Sequence, residues 1–140
     1  MLFVALCAGL LLVHRSPLDI AALFLIQLIS QTAIRQIKLV FRRTRPENWL
    51  IRKEQDASFP SGHASTGAVI FGGLAFLLWE TSLPYDVRLA GAAGLVTIAL
   101  GIGWSRIALG AHFLSDVLAG YVFGLLWFFA GMFLWMRWGH

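Results

Sequence analysis

Charged residues are scarce in this sequence: Asp, Glu, Lys and Arg make up 13% of its 140 residues, whereas soluble domains carry roughly 25%. Cysteine is nearly absent as well, and the single cysteine, Cys7, has no partner for an intramolecular disulfide, which excludes a disulfide scaffold. Apolar residues make up 59% of the chain, and the mean hydropathy is +0.76. This composition also excludes disorder, collagen and a coiled coil. It is typical of a helical membrane protein, and the length favours a single domain over residues 1–140.

The few charges are concentrated in one part of the chain. Eight of them lie between positions 41 and 56, and only five lie between positions 57 and 136. A net charge of +4 and an isoelectric point near 10.0 would suit a nucleic-acid partner if the charges formed one basic surface. They lie instead in a polar loop and at the ends of apolar runs. The distribution therefore argues against nucleic acid and in favour of a membrane.

Five apolar segments are predicted to be helical, because in lipid every backbone N–H needs a partner within its own segment or a buried one. The segments are Met1–Val13, Leu18 to about Val40, His63–Trp79, Tyr85–Ser105, and about Ala111–Met136. The last four are long enough to cross a hydrocarbon core roughly 30 Å thick. The expected fold class is therefore all-α: a polytopic transmembrane helical bundle with four full spans and a short or truncated N-terminal helix.

The first segment is too short to span the bilayer comfortably. Its thirteen residues rise about 1.5 Å each and reach only about 20 Å. No basic stretch follows Met1 and no convincing cleavage site precedes the second segment, which disfavours a signal peptide. We expect that upstream sequence is lacking or that the segment enters only partway. The second helix has a sharp predicted start, since Ser16, Pro17 and Asp19 form a capping-box pattern.

A polar stripe runs along the second segment. Gln27, Gln31, Arg35 and Lys38 recur at steps of four, four and three residues, which places them on one helix face. Such a stripe should face protein and not lipid. It predicts interhelical hydrogen bonds, worth about 0.6 to 2 kcal/mol each, or a route to a functional site at the Lys38 end.

Three further polar islands interrupt the apolar background, and each lies at the end of a segment. The islands are Lys38 with Arg45-Pro46, Pro60-Ser61-Gly62-His63, and Ser105-Arg106 with His112 and Asp116. In an antiparallel bundle the second and fourth segments end, and the third and fifth begin, on the same side of the membrane. The topology therefore predicts that the three islands converge.

The residue types in these islands suit a phosphate group. Lys38, Arg45 and Arg106 supply three cations, and arginine offers planar, bidentate donors for phosphate oxygens. Ser61 and Gly62 precede a helix whose first N–H groups lack intrahelical partners and whose dipole favours an anion. Together these five residues are predicted to bind an oxyanion. The neighbouring Arg42 and Arg43 are interpreted differently, as a juxtamembrane pair facing lipid headgroups.

Two histidines and one aspartate are the candidate catalytic groups. His112 and Asp116 are four residues apart on one predicted helix, so the carboxylate is expected to reach the imidazole, fix its tautomer and stabilise its cation. His112 is therefore the predicted nucleophile and Asp116 its orienting acid. His63, on another helix, is the predicted acid that protonates the leaving oxygen. Two histidines and one aspartate fit a hydrolytic metal poorly, so neither a metal nor another cofactor is predicted.

In order and spacing, the three islands resemble the three-part signature of the type 2 phosphatidic acid phosphatase superfamily. The resemblance covers Lys38 to Asp116 by motif and the surrounding helices by pattern. It implies phosphate binding by Lys38, Arg45, Ser61, Gly62 and Arg106, an acid and then base at His63, a nucleophile at His112, and Asp116 as its partner. Members with this architecture are typically metal-independent phosphatases of lipid phosphates. The implied substrates are phosphatidic acid, phosphatidylglycerol phosphate, an isoprenyl pyrophosphate or phosphorylated lipid A.

Three alternative functions are also consistent with parts of the pattern. A vanadium-dependent haloperoxidase has a similar site, but membrane burial argues against it. A lipid phosphotransferase would use the same catalytic residues. An anion channel or transporter would place cations at helix ends, yet it would need neither the His112–Asp116 pair nor His63. The oligomeric state is left open.

The distribution of basic residues bears on the orientation in the membrane. Eight of the eleven Lys and Arg residues belong to the predicted site face, which taken alone would put the site in the cytoplasm. Phosphate binding accounts for three of them, Lys38, Arg45 and Arg106. The remaining five basic residues against three on the other face are only a weak indication of a cytoplasmic site. The family resemblance implies a site on the outer or periplasmic face of the cell membrane and a cytoplasmic C-terminus, and this is the expected orientation.

Overall fold

The described part of the protein is a bundle of four helices. The computed structural model describes residues 17–47, 50 and 55–138. The helices are α1 (Pro17–Phe41), α2 (Gly62–Trp79), α3 (Tyr85–Ala108) and α4 (Leu114–Trp138), and no strand occurs in these ranges. All four are long and apolar enough to cross a membrane, which confirms the predicted all-α bundle with four spans. The segment Met1–Val13 and the capping residue Ser16 lie outside the described residues.

Helix α2 forms the centre of the bundle. It consists of α-helical turns at Gly62–Gly67 and Gly73–Trp79, separated by a π-helical stretch at Ala68–Gly72. More than half of its residues, 56%, are buried within the protein, against 17–33% in the other three helices. Val69 and Leu74 of α2 pack in one apolar core with Leu23 of α1 and Phe128 of α4. The outer three helices therefore surround α2 and turn their apolar outer faces to lipid.

Glycines bring α4 against the start of α2. A methyl group added to Gly120 would collide with the carbonyl oxygen of Ser61, and one added to Gly124 would lie 2.7 Å from the carbonyl oxygen of Ser65. Only a residue without a side chain allows the two backbones to approach this closely. The contact holds the N-terminal ends of α2 and α4 side by side, where two of the three sequence islands lie.

The polar stripe of α1 faces α2. Both Gln27 and Gln31 donate from Nε2 to the Thr66 hydroxyl, at 2.9 and 3.0 Å. A buried hydrogen bond of 3.0 Å also joins the hydroxyls of Ser30 and Ser65. The prediction that this stripe faces protein is thus confirmed for the two glutamines.

The start of α4 differs from the prediction. The helix begins at Leu114, three residues later than expected, because residues 109–113 form a turn in which Gly110 has a φ of 67°. The Asp116 carboxylate accepts the N–H of Phe113 at 2.9 Å, as an acid at the third helical position does in a capping box. His112 therefore lies in the turn before α4, and the prediction that it shares a helix with Asp116 is wrong.

Candidate active site

A cavity of about 470 Å³ lies where α1 and α3 end and α2 and α4 begin. Its walls include five of the eight predicted site residues, which are Lys38, Gly62, His63, Arg106 and His112. Other lining residues are Gln31, Ile34, Arg35, Asp56, Thr66, Ile102 and Ser105. The expected convergence of the three islands therefore occurs, and both histidines border the same space.

His112 has a defined hydrogen-bonding pattern on both ring nitrogens. The residue is 3% exposed, and its Nε2 lies 3.2 Å from Nη1 of Arg45. Because a guanidinium can only donate, Nε2 must accept and the proton of the neutral ring must sit on Nδ1. The lone pair of the neutral ring therefore lies on Nε2, where it accepts the hydrogen bond from Arg45.

A serine hydroxyl connects His112 to Asp116. Oδ2 of Asp116 lies 3.7 Å from Nδ1 of His112, beyond hydrogen-bonding distance. Ser58 donates to Oδ2 at 2.5 Å, and its Oγ lies 3.4 Å from Nδ1. The predicted direct contact between imidazole and carboxylate is therefore replaced by a bridge, Nδ1–H to the Ser58 hydroxyl and from there to Asp116.

The Asp116 carboxylate is fully buried and is paired with Arg43. Nη1 of Arg43 donates to Oδ1 at 2.7 Å and to the Ser115 hydroxyl at the same distance. The guanidinium also stacks on the ring of Phe113, 4.3 Å from its centroid. Arg43 therefore faces the site, and its interpretation as a headgroup-facing residue is wrong. A buried carboxylate is costly without such a partner.

The environment of His112 keeps its imidazole neutral. Burial contributes most, followed by the positive charges of Arg45 and Lys38, and together they lower the pKa of His112 from 6.5 to about 4. Asp116 and Ser58 oppose this shift. Below the folded-state pKa the ring is protonated and cannot act as a nucleophile, so the reactive form persists down to about pH 4.

Two of the predicted phosphate-binding cations converge on one carboxylate. Nζ of Lys38 donates to Oδ2 of Asp56 at 2.5 Å, and Nη2 of Arg45 donates to Oδ1. Backbone carbonyls hold the same cations, since Lys38 donates to Ala57 at 2.8 Å and Nε of Arg45 to Asp56 at 3.0 Å. Burial raises the pKa of Asp56, but the hydrogen bonds and charges of Lys38 and Arg45 outweigh it and lower the pKa below 3.8.

The start of α2 is built by Ser61 and Gly62. Ser61 is the N-cap residue, and its hydroxyl accepts from the N–H of Ala64 at 3.4 Å. Its own N–H donates to the carbonyl of Asp116 at 2.9 Å, so its polar groups contact protein. Ser61 is fully buried and lies behind the cavity wall, whereas Gly62 and His63 line the cavity.

Arg106 and His63 also line the cavity. His63 is exposed at the first turn of α2. Nε of Arg106 lies 3.3 Å from the Ser105 hydroxyl, and its carbonyl accepts the N–H groups of Ala111 and His112 at 2.9 and 3.3 Å. The last turn of α3 thus fixes the backbone of the turn that carries His112.

Three residues at the site, Arg43, Asp56 and Ser58, are not predicted by the sequence patterns. All three lie in or beside the polar loop, where no helical periodicity relates a residue to a face. Ser58 is fully buried although it belongs to this loop. The sequence offers one weak signal, which is that Asp56 and Ser58 precede the Pro60 motif by only a few residues and could therefore lie near the site.

The described residues contain no group of three or more His, Cys, Asp or Glu side chains arranged to hold a metal ion. The arrangement offers a neutral imidazole whose lone pair lies on Nε2, a second imidazole that lines the same cavity, and Lys38, Arg45 and Arg106 as cations. These groups suit in-line transfer of a phosphoryl group to nitrogen.

Four apolar helices with a cation-lined cavity at their ends on one side define an integral membrane protein. Residues 18–139 match the PAP2 superfamily. The chain therefore belongs to this superfamily, and the resemblance carried by its three motifs is confirmed.

Named relatives and one solved structure agree with this membership. The chain is 36% identical over 97 residues to phosphatidylglycerophosphatase B of Bacillus subtilis (strain 168), covering 66% of this chain and 46% of that protein. It is 38% identical over 86 residues to a putative undecaprenyl-diphosphatase of Escherichia coli (strain K12), covering 61% of this chain and 38% of that protein. The chain thus spans less than half the length of these relatives.

The fold matches a crystal structure described as the first transmembrane PAP2 type phosphatidylglycerolphosphate phosphatase from Bacillus subtilis. The TM-score is 0.82 at 29% identity, and the match covers 98% of this chain and 68% of that one. The helical bundle is therefore the transmembrane PAP2 fold.

Proposed function

We propose that this protein is a membrane lipid phosphatase that hydrolyses a phosphomonoester or pyrophosphate on a lipid through a phosphohistidine intermediate. The observation that carries the proposal is the state of His112. Its imidazole is neutral, its Nε2 lone pair is directed by Arg45, and it borders one cavity together with His63. Membership of the PAP2 superfamily and the names of the relatives support the same reaction.

In the first proposed step Arg45 gives up its hydrogen bond to Nε2 of His112 and donates to the phosphoryl oxygens, and the freed lone pair of Nε2 attacks phosphorus in line. A P–N bond forms while the bond from phosphorus to the leaving oxygen breaks, and protonated His63 gives its proton to that oxygen. The ring of His112 becomes positively charged. Ser58 and Asp116 stabilise this charge through the proton on Nδ1.

In the second step water cleaves the phosphohistidine. His63, now neutral, takes a proton from the attacking water, the P–N bond breaks, and its electron pair returns to Nε2 of His112. Inorganic phosphate leaves, and His63 is again protonated for the next cycle. Lys38, Arg45 and Arg106 stabilise the negative charge on the phosphoryl oxygens in both steps.

Phosphate release from purified protein in detergent tests the proposal. The substrates are phosphatidic acid, phosphatidylglycerol phosphate, an isoprenyl pyrophosphate and phosphorylated lipid A. We expect release from at least one of them and a loss of about a thousandfold or more in His112→Ala, since residues of a catalytic unit have large effects. The matched control is His14→Ala, which changes a histidine outside the three motifs. Near wild-type turnover in His112→Ala would contradict the proposal.

Two further measurements examine the mechanism. A phosphoenzyme should accumulate in His63→Ala, because hydrolysis of the intermediate needs the base. Activity should also persist in excess chelator, since no metal is used in either step. Loss of activity in chelator, restored by a divalent cation, would overturn the metal-free mechanism.

We also propose that the site faces the outer or periplasmic side of the cell membrane. The family resemblance supports this orientation. An exposed residue of the polar loop, Gln55, can be replaced by cysteine in a Cys7→Ser background and treated with a membrane-impermeant thiol reagent. Labelling in intact cells is expected, and labelling only after lysis would reverse the orientation.

A further inference from the structure

The position between Lys38 and Arg45 is held by a carboxylate of the protein itself. Each oxygen of Asp56 accepts from one of the two cations. Asp56 also lines the cavity that contains His63 and His112. A substrate phosphate that uses both cations must therefore take the place of this carboxylate.

We propose that Asp56 is a built-in competitor of the substrate phosphate, which occupies Lys38 and Arg45 in the free protein and lowers the affinity of the site for every anion by the same factor. The proposal rests on the proposed lipid phosphatase function. A terminal phosphate dianion binds the two cations strongly enough to offset this cost, whereas a phosphodiester monoanion does not.

Charge explains the discrimination. A terminal phosphate carries close to two negative charges near neutral pH because its second pKa is about 6, and a phosphodiester carries one. Coulomb attraction to a fixed pair of cations rises with the charge of the anion. A diester exchanged for Asp56 thus gains little, whereas a dianion gains a second charge. Membrane surfaces present many phosphodiester headgroups, so a site for terminal phosphates needs such discrimination.

Asp56 has the properties that a displaceable competitor needs. Its lowered pKa keeps it ionised at neutral pH. Its side chain is 52% exposed, against 11% for Lys38 and 8% for Arg45, so the carboxylate can turn towards water while the cations stay in place.

The cations also keep other partners when the carboxylate leaves. Lys38 retains the carbonyl of Ala57, and Arg45 retains the carbonyls of Asp56 and Ala111, the latter at 3.1 Å. The carboxylate is therefore not their only support. This distinguishes a competitor from a residue that merely positions the cations, whose removal would weaken binding of every anion.

The experiment compares Asp56→Asn with the matched variant Glu47→Gln. Glu47 is an exposed acid of the same loop, and it has no ion pair with a described residue. Calorimetry on the purified proteins measures the dissociation constants of inorganic phosphate and dimethyl phosphate, at a pH where phosphate is mostly a dianion. A second variant, Asp56→Ser, removes the same charge with a different side chain.

We expect both Asp56 variants to bind dimethyl phosphate and inorganic phosphate about tenfold more tightly, by the same factor, since removal of a competing state raises the apparent affinity of every ligand by the inverse of the fraction that was free to bind. The ratio of the two constants should stay unchanged, and Glu47→Gln should match wild type. In turnover assays, phosphatidylglycerol in mixed micelles should inhibit the Asp56 variants more strongly than wild type.

Three outcomes would overturn the inference. The first is weaker binding of both anions by the Asp56 variants, which would make Asp56 a positioning residue. The second is a larger gain for inorganic phosphate than for dimethyl phosphate, which would show charge repulsion without displacement, and the third is no change in either dissociation constant. Calorimetry does not depend on turnover. A wild-type protein that releases no phosphate from any lipid would refute the proposed function, while the two dissociation constants would still decide the role of Asp56.

Discussion

At the scale of single residues, the hydroxyl of Ser58 carries the interaction between the predicted nucleophile and its acid. In Ser58→Ala the hydrogen bond to Asp116 is lost and Nδ1 of His112 loses its nearest partner. Hydrogen-bond partners that orient histidine ligands at metal sites are typically worth 10–100-fold in metal affinity or activity, and we expect a similar factor for the orientation of His112. We expect kcat to fall by about that factor while KM changes little, as measured by phosphate release over a range of lipid concentrations.

A second buried serine provides the control. Ser30 is as buried as Ser58, but its hydroxyl bonds to Ser65 between α1 and α2. Ser30→Ala should lower thermal stability slightly and leave kcat close to wild type. A similar effect of both substitutions on kcat would contradict a specific role for Ser58.

The pH profile follows from the lowered pKa of His112. The ring is reactive when neutral, so kcat/KM should be lost on the acid side only near pH 4. Lys38 is one of the charges that lower this pKa. In Lys38→Met the acid limb should therefore move to higher pH, in addition to the loss of activity. An acid limb already near pH 6.5 in wild type would contradict a neutral, desolvated His112.

Which residues reach the site could be predicted only where a motif or a helix constrains them. Lys38, His63 and Arg106 line the cavity because helix ends place them there. Arg43 could not be predicted, because its direction depends on a buried carboxylate 73 positions further along the chain. A charge beside a membrane segment suits a headgroup as well as a buried acid, and sequence alone does not separate the two.

At the scale of helices, the approach of α4 to α2 is the contact that holds the site together. In Gly120→Ala the new methyl group meets backbone, the carbonyl of Ser61, which cannot move without shifting the N-cap of α2. We expect a clear loss of thermal stability and of kcat, measured on the detergent-solubilised protein.

Gly94 in α3 is the matched control, because nothing lies within 4 Å of a methyl group added there. Gly94→Ala should leave both stability and kcat unchanged. Equal tolerance of the two substitutions would show that the close approach of the backbones is not needed.

The sequence predicts the helices well and their ends less well. The bounds of α1 lie within one residue of the prediction and α2 begins one residue early, because proline and a capping serine mark their starts. The start of α4 has neither signal. There the first helical residue is set by Asp116, which accepts the N–H of Phe113, and by the left-handed conformation of Gly110. Neither residue type, seen in the sequence alone, excludes a helix that begins at Ala111.

At the scale of the whole molecule, the first and last described helices are joined on the side away from the site. Nε1 of Trp135 donates to Oδ1 of Asp19 at 3.0 Å, which ties α4 to α1. Interhelical hydrogen bonds in membranes are worth about 0.6 to 2 kcal/mol. Trp135→Phe should therefore lower the midpoint of thermal unfolding by a few degrees and leave kcat unchanged.

Trp104 serves as the comparison, because it is 70% exposed. Trp104→Phe should leave the unfolding midpoint where it is. Should both tryptophan variants unfold alike, the bond between α4 and α1 would contribute nothing measurable.

The convergence of the three motifs could be predicted from topology alone, because alternate helix ends must meet on one side of an antiparallel bundle. Their detailed contacts could not. The bridge through Ser58 and the position of the Asp56 carboxylate both depend on how the loop folds over the helix ends. The loop sequence has no periodic pattern from which this fold could be predicted.

The cavity lies where apolar helices give way to a polar loop. A reaction placed at such a boundary releases its two products into different phases. The dephosphorylated lipid partitions back into the bilayer, while orthophosphate dissolves in water, and each departs without crossing the path of the other. For the proposed hydrolysis, this separation hinders the reverse reaction and removes the need for a dedicated exit channel.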